Sequence, residues 1–154
     1  MKKIVHAAAG SLVLLLVLSF LSITILSELS MDADNVIFAK RLILYGVCLL
    51  VPVMAVAGGS GFSLAAGRIG PLVELKKRRM RLIAANGLLV MLPSAIWLYY
   101  AAARGEFGAA FMVVQAIELA GGLAQFYLLA RNFRDGLRLS GRLRRKPPIS
   151  RVAS

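Results

Sequence analysis

Glu118 is the only carboxylate well inside a long apolar run of this 154-residue chain. It has polar company at helical spacing. Gln115, Glu118, Gly122 and Gln125 are three, four and three residues apart, which puts them on one face of a helix. Asn132 continues that face. An ionised side chain in hydrocarbon is expensive, about 2.5–3.5 kcal/mol for a central Asp, Lys or Arg on translocon scales. Three chemistries avoid or use that cost. The carboxyl can stay protonated and hydrogen-bond to Tyr45, Gln115 or a carbonyl. It can ionise against Arg41, with Tyr45 between them. It can couple to protons or cations, the usual work of intramembrane carboxylates in transporters. Gln115, Gln125 and Asn86 read most simply as hydrogen-bonding glue between helices, worth about 0.6 kcal/mol each on average.

Other chemistry finds little support. Cys48 is the only cysteine and His6 the only histidine, so neither a disulfide nor the usual zinc ligand set can be assembled within one chain. His6 reads as an interfacial imidazole. A haem would need a second axial ligand, either Met80 or His6 of another copy. Met54, Met91 and Met112 form no Met-x-x-Met cluster and read as packing. Gly59-Ser60-Gly61 lacks the Gly-Lys-Ser/Thr of a phosphate loop, and Leu64 stands where a dinucleotide fingerprint wants glycine. No nucleophile–base pair or paired carboxylates share one depth. The expectation is a protein with no catalytic residue, no metal and no cofactor.

Four apolar runs must position these groups: about 4–26, 36–57, 82–103 and 108–130. Each is long enough to cross a hydrocarbon core of about 30 Å, which takes about 20 residues. Composition agrees, with 59% hydrophobic and 17% charged residues. Soluble domains run at about 45–50% and about 25%. The first run, with 23 residues, is longer than the about 7–15 apolar residues of a signal peptide. No A-x-A cleavage site follows it, so it is expected to be a retained helix. Residues 1–130 then form one four-span domain, an all-α transmembrane bundle.

The spans also predict faces. The second offers Arg41, Tyr45, Cys48, Pro52 and Gly59. The third offers Asn86, Pro93, Trp97 and Tyr100, with a bend at Pro93 because the carbonyl four residues back loses its donor. The first offers Ser11, Ser19 and Ser22. Tyr45, Ser94 and Glu118 belong near the midplane, and His6, Asn86 and Gln125 in a layer toward the basic side. Gly58-Gly59-Ser60-Gly61 reads as the turn that ends the second helix. Pro71 fits the first turn of the next. Ala116, Ala120 and Ala124 repeat every four residues opposite Glu118, a small-residue stripe open to a second copy, a larger membrane complex or lipid.

Sixteen of the 19 Lys and Arg residues fall at the N-terminus, in the second connection or after residue 130. The positive-inside rule then places both termini in the cytoplasm (N-in/C-in). Lys76, Lys77, Arg78 and Arg79, with Arg142, Arg144, Arg145 and Lys146 of the basic tail 131–154, are expected at anionic headgroups. The arginines lack interleaved aromatics, which argues against nucleic acid.

The segments Gly58-Gly59-Ser60-Gly61-Phe62, Arg79-Met80-Arg81-Leu82-Ile83-Ala84-Ala85-Asn86-Gly87-Leu88-Leu89-Val90 and Arg134-Asp135-Gly136-Leu137 resemble small four-helix membrane proteins encoded in bacterial genomes. The resemblance covers most of the chain. It implies a multi-pass bacterial inner-membrane protein and brings no catalytic residue, since the group has no assigned activity. The resulting expectation is a non-enzymatic accessory, scaffold or assembly component. The alternatives are a small proton- or cation-coupled transporter or channel using Glu118, and more weakly a b-type haem or quinone-binding redox subunit.

Overall fold

A backbone in hydrocarbon must satisfy its own hydrogen bonds, and a helix does so within one segment. The computed structural model describes residues 2–66 and 70–139, and these are helical apart from short connections. Helix α1 is Lys2–Leu29 and α2 is Ala33–Ala65. The third span is built from α3 (Pro71–Asn86), a π-helical turn (Gly87–Met91) and α4 (Leu92–Ala103). Helix α5 is Ala109–Leu139. Four stretches are long and apolar enough to cross a membrane: Ile4–Leu29, Ala33–Leu64, Pro71–Ala103 and Ala109–Arg138. The protein is an all-α four-helix bundle of transmembrane character.

The connections follow from local chemistry. Asp32 caps α2, its Oδ1 accepting from the Asp34 amide at 3.2 Å. Pro71 opens α3 as the spacing predicts, after Gly70 at φ 154°, where a side chain would be strained. Between α4 and α5, Arg104 Nε and Nη2 reach the two Glu106 oxygens at 2.8 and 3.1 Å. That hydrogen bond holds the exposed Glu106 carboxyl below its usual range.

Packing is uneven. Helix α1 lies along α2 and also touches α5. Helix α5 packs on α3, the π turn and α4, whereas α2 meets α4 and barely touches α3. Buried Val13, Val17, Leu21, Ile83 and Leu129 form one core layer. Ile43, Val47 and Ala95 form the middle layer. Val36, Leu98, Ala101, Ala102 and Phe111 close the far end.

Several expectations are corrected. Helix α2 does not stop at Gly58; it runs through the glycines to Ala65. The reason is close packing. A Cβ on Gly61 would lie 2.9 Å from His6 Cε1, so the missing side chain makes room for the α1 imidazole. The proposed inner face of α2 points outward, with Arg41, Tyr45, Cys48, Pro52 and Gly59 all exposed. The buried face of α2 carries Val36, Ala39, Lys40, Ile43 and Val47 instead. On the third span, Pro93, Trp97 and Tyr100 are exposed, while Ser94, Ala95 and Leu98 are buried. The irregularity expected at Pro93 takes the form of the π turn just before it. On α1, Ser19 and Ser22 face outward, and the buried hydroxyl residues are Thr24 and Ser27. Ala116, Ala120 and Ala124 are exposed, opposite Glu118, as the spacing predicts.

Candidate intramembrane binding site

Glu118 is 4% exposed and sits on the buried face of α5, with Gln115, Gly122, Gln125, Asn132 and Asp135 along the same stripe. Its cation is Lys40, not Arg41. Lys40 Nζ donates to Glu118 Oε2 at 2.6 Å, and the Lys40 side chain is fully buried. This corrects both the Arg41 pairing and the intermediate place given to Tyr45, which is 65% exposed. Arg41 lies about 100° further round α2, past the edge of the buried face, and is exposed. Lys40 is thus a component of the core rather than a charged flank.

The pair leaves polar capacity unused. Glu118 Oε1 is buried without a hydrogen-bond partner, and so are Oε1 and Nε2 of Gln115, one turn away on the same face. Taking a charge pair out of water costs several kcal/mol per ion, which the mutual attraction repays only when the remaining lone pairs are also satisfied. Buried unpaired polar groups are rare in folded proteins and call for a specific explanation.

A second polar layer lies nearer the basic end, and there both side-chain amides are engaged. Asn86 Nδ2 donates to Gln125 Oε1 at 2.8 Å and to the Gly121 carbonyl at 3.0 Å. Gln125 Nε2 donates to the Ile83 carbonyl at 3.1 Å. Asn86 and Gln125 therefore join α3 to α5, the role their residue types predict. His6 does not share this layer. Its Nδ1 lies 3.0 Å from the Ala57 carbonyl and 3.2 Å from Ser60 Oγ, docking α1 onto α2. The half-buried ring, near the N-terminal end of α1, thus has an interhelical partner.

At the basic end Asp135 is buried and binds Arg79, with Arg138 3.9 Å away. Lys77 pairs with Glu74 at 3.0 Å. Lys76 is half-buried toward Gly136, and Arg78 and Arg81 are exposed. Of the eight residues expected at lipid headgroups, Arg79 is thus committed to an internal ion pair. Arg142, Arg144, Arg145 and Lys146 lie outside the described residues.

Where α2 and α3 separate, a cavity of about 370 Å³ opens. Its floor is α1 and α5, and its mouth carries the exposed Val51, Phe62 and Leu88. Arg81 lines one end and Glu118 the other. Arg81 to Ala95, both in the lining, spans about 21 Å of helix at about 1.5 Å per residue. Nearly all the wall is apolar. Its polar lining residues besides Arg81 are Thr24, Gln125 with both amide atoms engaged, and Glu118, whose Oε1 is fully enclosed. Small-molecule sites are typically apolar clefts of about 300–1,000 Å³ with a few placed polar groups. Among the described residues no group of three His, Cys, Asp or Glu side chains is arranged to hold a metal ion.

Composition and periodicity missed Lys40 and the cavity. Lys40 is in register with Val36, Ile43 and Val47, a signal present in the sequence and masked by apolar residues on the neighbouring face. The cavity has no sequence signature, because it arises from how far α2 and α3 stand apart. Comparison with family models, curated proteins and solved structures gives no match to this chain.

Proposed function

We propose that this is a non-enzymatic multi-pass protein of the bacterial inner membrane, an accessory component that holds one lipophilic molecule between α2 and α3. The observation that carries the reading is the apolar cavity open along the α2–α3 seam. A molecule already dissolved in the bilayer reaches it sideways, without crossing water. Both termini lie in the cytoplasm by the positive-inside rule, which the burial of Lys40 strengthens, since only Arg41 and Arg104 then remain as positive charges on the opposite side. The exposed Arg78 and Arg81 meet anionic headgroups there, and the outward Ala116, Ala120 and Ala124 stripe offers close approach to a second copy or a larger membrane complex.

The test is native mass spectrometry of the full chain released from lipid nanodiscs. The expected result is one retained lipophile per chain, lost in Ala55→Phe and Ala84→Phe, which fill the seam. Equal retention by the filled variants overturns the reading. Orientation is tested in a Cys48→Ser background: external reagent should label Asp34→Cys and Gly105→Cys but not Ser150→Cys.

A second reading, proton- or cation-coupled transport through Glu118, is favoured by the unpartnered Glu118 and Gln115 atoms beside the buried pair. It requires Glu118→Gln to abolish ion flux in proteoliposomes while folded protein persists.

A further inference from the structure

We infer that the cavity takes a long-chain carboxylate, a single-chain anionic lipid whose headgroup binds Arg81 and whose chain runs along the α2–α3 seam to the middle core layer. The inference rests on the lipophile-binding reading above and names the ligand's chemistry.

The apolar wall does not choose a guest. Lipid tails are as apolar as Leu50, Met54 and Met91, so a chain gains little by leaving the bilayer for the cavity. Selection falls to the polar lining. Glu118 is paired with Lys40, and its other oxygen is enclosed. Gln125 has both amide atoms engaged, and Thr24 is buried and neutral. Arg81 differs from all three. It is charged, exposed and, among the described residues, without an ion pair or hydrogen bond. The protein has no carboxylate to spare for it. Of the seven Asp and Glu residues only Glu74 and Asp135 lie at the basic end, and they are bound to Lys77 and Arg79. An anion from outside the chain supplies the missing partner. A guanidinium meets a carboxylate through two parallel N–H donors, and its charge keeps that carboxylate ionised.

Dimensions select the rest of the ligand. The lining from Arg81 to Ala95 spans about 21 Å, more than the about 15 Å that is half of an average hydrocarbon core. That length asks for a long chain. The volume of about 370 Å³ is near the lower end of the about 300–1,000 Å³ of small-molecule sites, which suits one chain rather than the two of a phospholipid. Arg78, exposed one turn further out, does not line the cavity, so the headgroup site centres on Arg81.

The experiment uses the full chain in phosphatidylcholine nanodiscs with two photoactivatable probes, hexadecanoic acid and its methyl ester, both carrying a diazirine at the chain end. Labelled residues are located by peptide mass spectrometry. The expected result is labelling of the inner wall, at Ile43, Val47 and Ala95, by the acid at about tenfold lower content in the bilayer than by the ester, the size of one hydrogen bond between charged groups. In Arg81→Gln that preference should vanish. The substitution removes an exposed side chain without a partner, so the fold is not at stake. Arg78→Gln lowers the positive charge of the same surface equally and should keep the preference. Equal labelling by acid and ester in the native chain overturns the inference and leaves the cavity reading standing. So does a preference that survives Arg81→Gln, or one that Arg78→Gln removes just as fully, since the field of the basic surface would then explain it. Displacement of the acid probe by phosphatidylglycerol more readily than by unlabelled hexadecanoic acid overturns the single-chain assignment. Absence of inner-wall labelling by both probes overturns the lipophile reading itself.

Discussion

Two polar layers cross the same bundle, one built from neutral amides and one from opposite charges. In the Asn86–Gln125 layer hydrogen bonds tie α3 to α5 through both side chains and two backbone carbonyls. In the Lys40–Glu118 layer a single short bond joins α2 to α5, and three side-chain atoms on Glu118 and Gln115 are left over. The first arrangement is closed: it holds helices together and offers nothing more. The second leaves polar atoms unpaired, and Glu118 is one of the residues that line the cavity.

The sharpest way to break this contrast is Lys40→Met. It leaves Glu118 buried without its cation, and losing one member of a buried pair typically costs about 3–5 kcal/mol. Equilibrium unfolding in mixed micelles should show that loss, and Lys40→Met/Glu118→Leu should recover most of it. A neutral Lys40→Met would mean that Glu118 is protonated and that the layer holds no charge. Gln125→Leu comes next. It removes two hydrogen bonds, one to the Ile83 carbonyl, which keeps the Gly87 amide, and one from Asn86, with an expected cost of about 1–3 kcal/mol in the same assay. Gln115→Leu should be much milder, within about 0.5 kcal/mol or slightly stabilising, since it deletes an amide with no partner. A cost equal to that of Gln125→Leu would show Gln115 to be bonded and the second layer to be closed as well. Arg41→Gln should be smallest, within about 0.5 kcal/mol, because the residue faces outward.

The sequence reading succeeded where polarity was scarce and failed where apolarity was uniform. On α5 the spacing of Gln115, Glu118 and Gln125 identified the buried face, because a polar stripe in an apolar helix has few other places to go. On α2 the same reasoning chose the wrong side. Lipid is as apolar as a protein core, so Val36, Ile43 and Val47 look no more inward than Leu42 or Leu49. Tyr45, Cys48 and Pro52 stood out chemically and drew the assignment, although none of them needs burial. The four glycine and serine residues 58–61 read as a turn in soluble grammar. In this bundle Gly61 serves contact with His6, while Ser60 bonds back to Val56 and Ala57 within the helix. The cavity depends on the distance between two helices, which no single-chain periodicity encodes.

The third span also sets a thickness. Arg81, exposed at one end, and Tyr100, 55% exposed at the other, are nineteen residues apart, about 28 Å at about 1.5 Å each. That is close to the about 30 Å of an average hydrocarbon slab. Aromatic rings such as Trp97 and Tyr100 settle at the interface, so one rim of the protein is anchored. A bilayer with longer acyl chains must then draw Arg81 toward hydrocarbon, tilt the helices or thin around them, at a fraction of a kcal/mol per Å of mismatch. Arg81 also lines the outer end of the cavity, so the residue that marks this edge of the slab borders the opening as well.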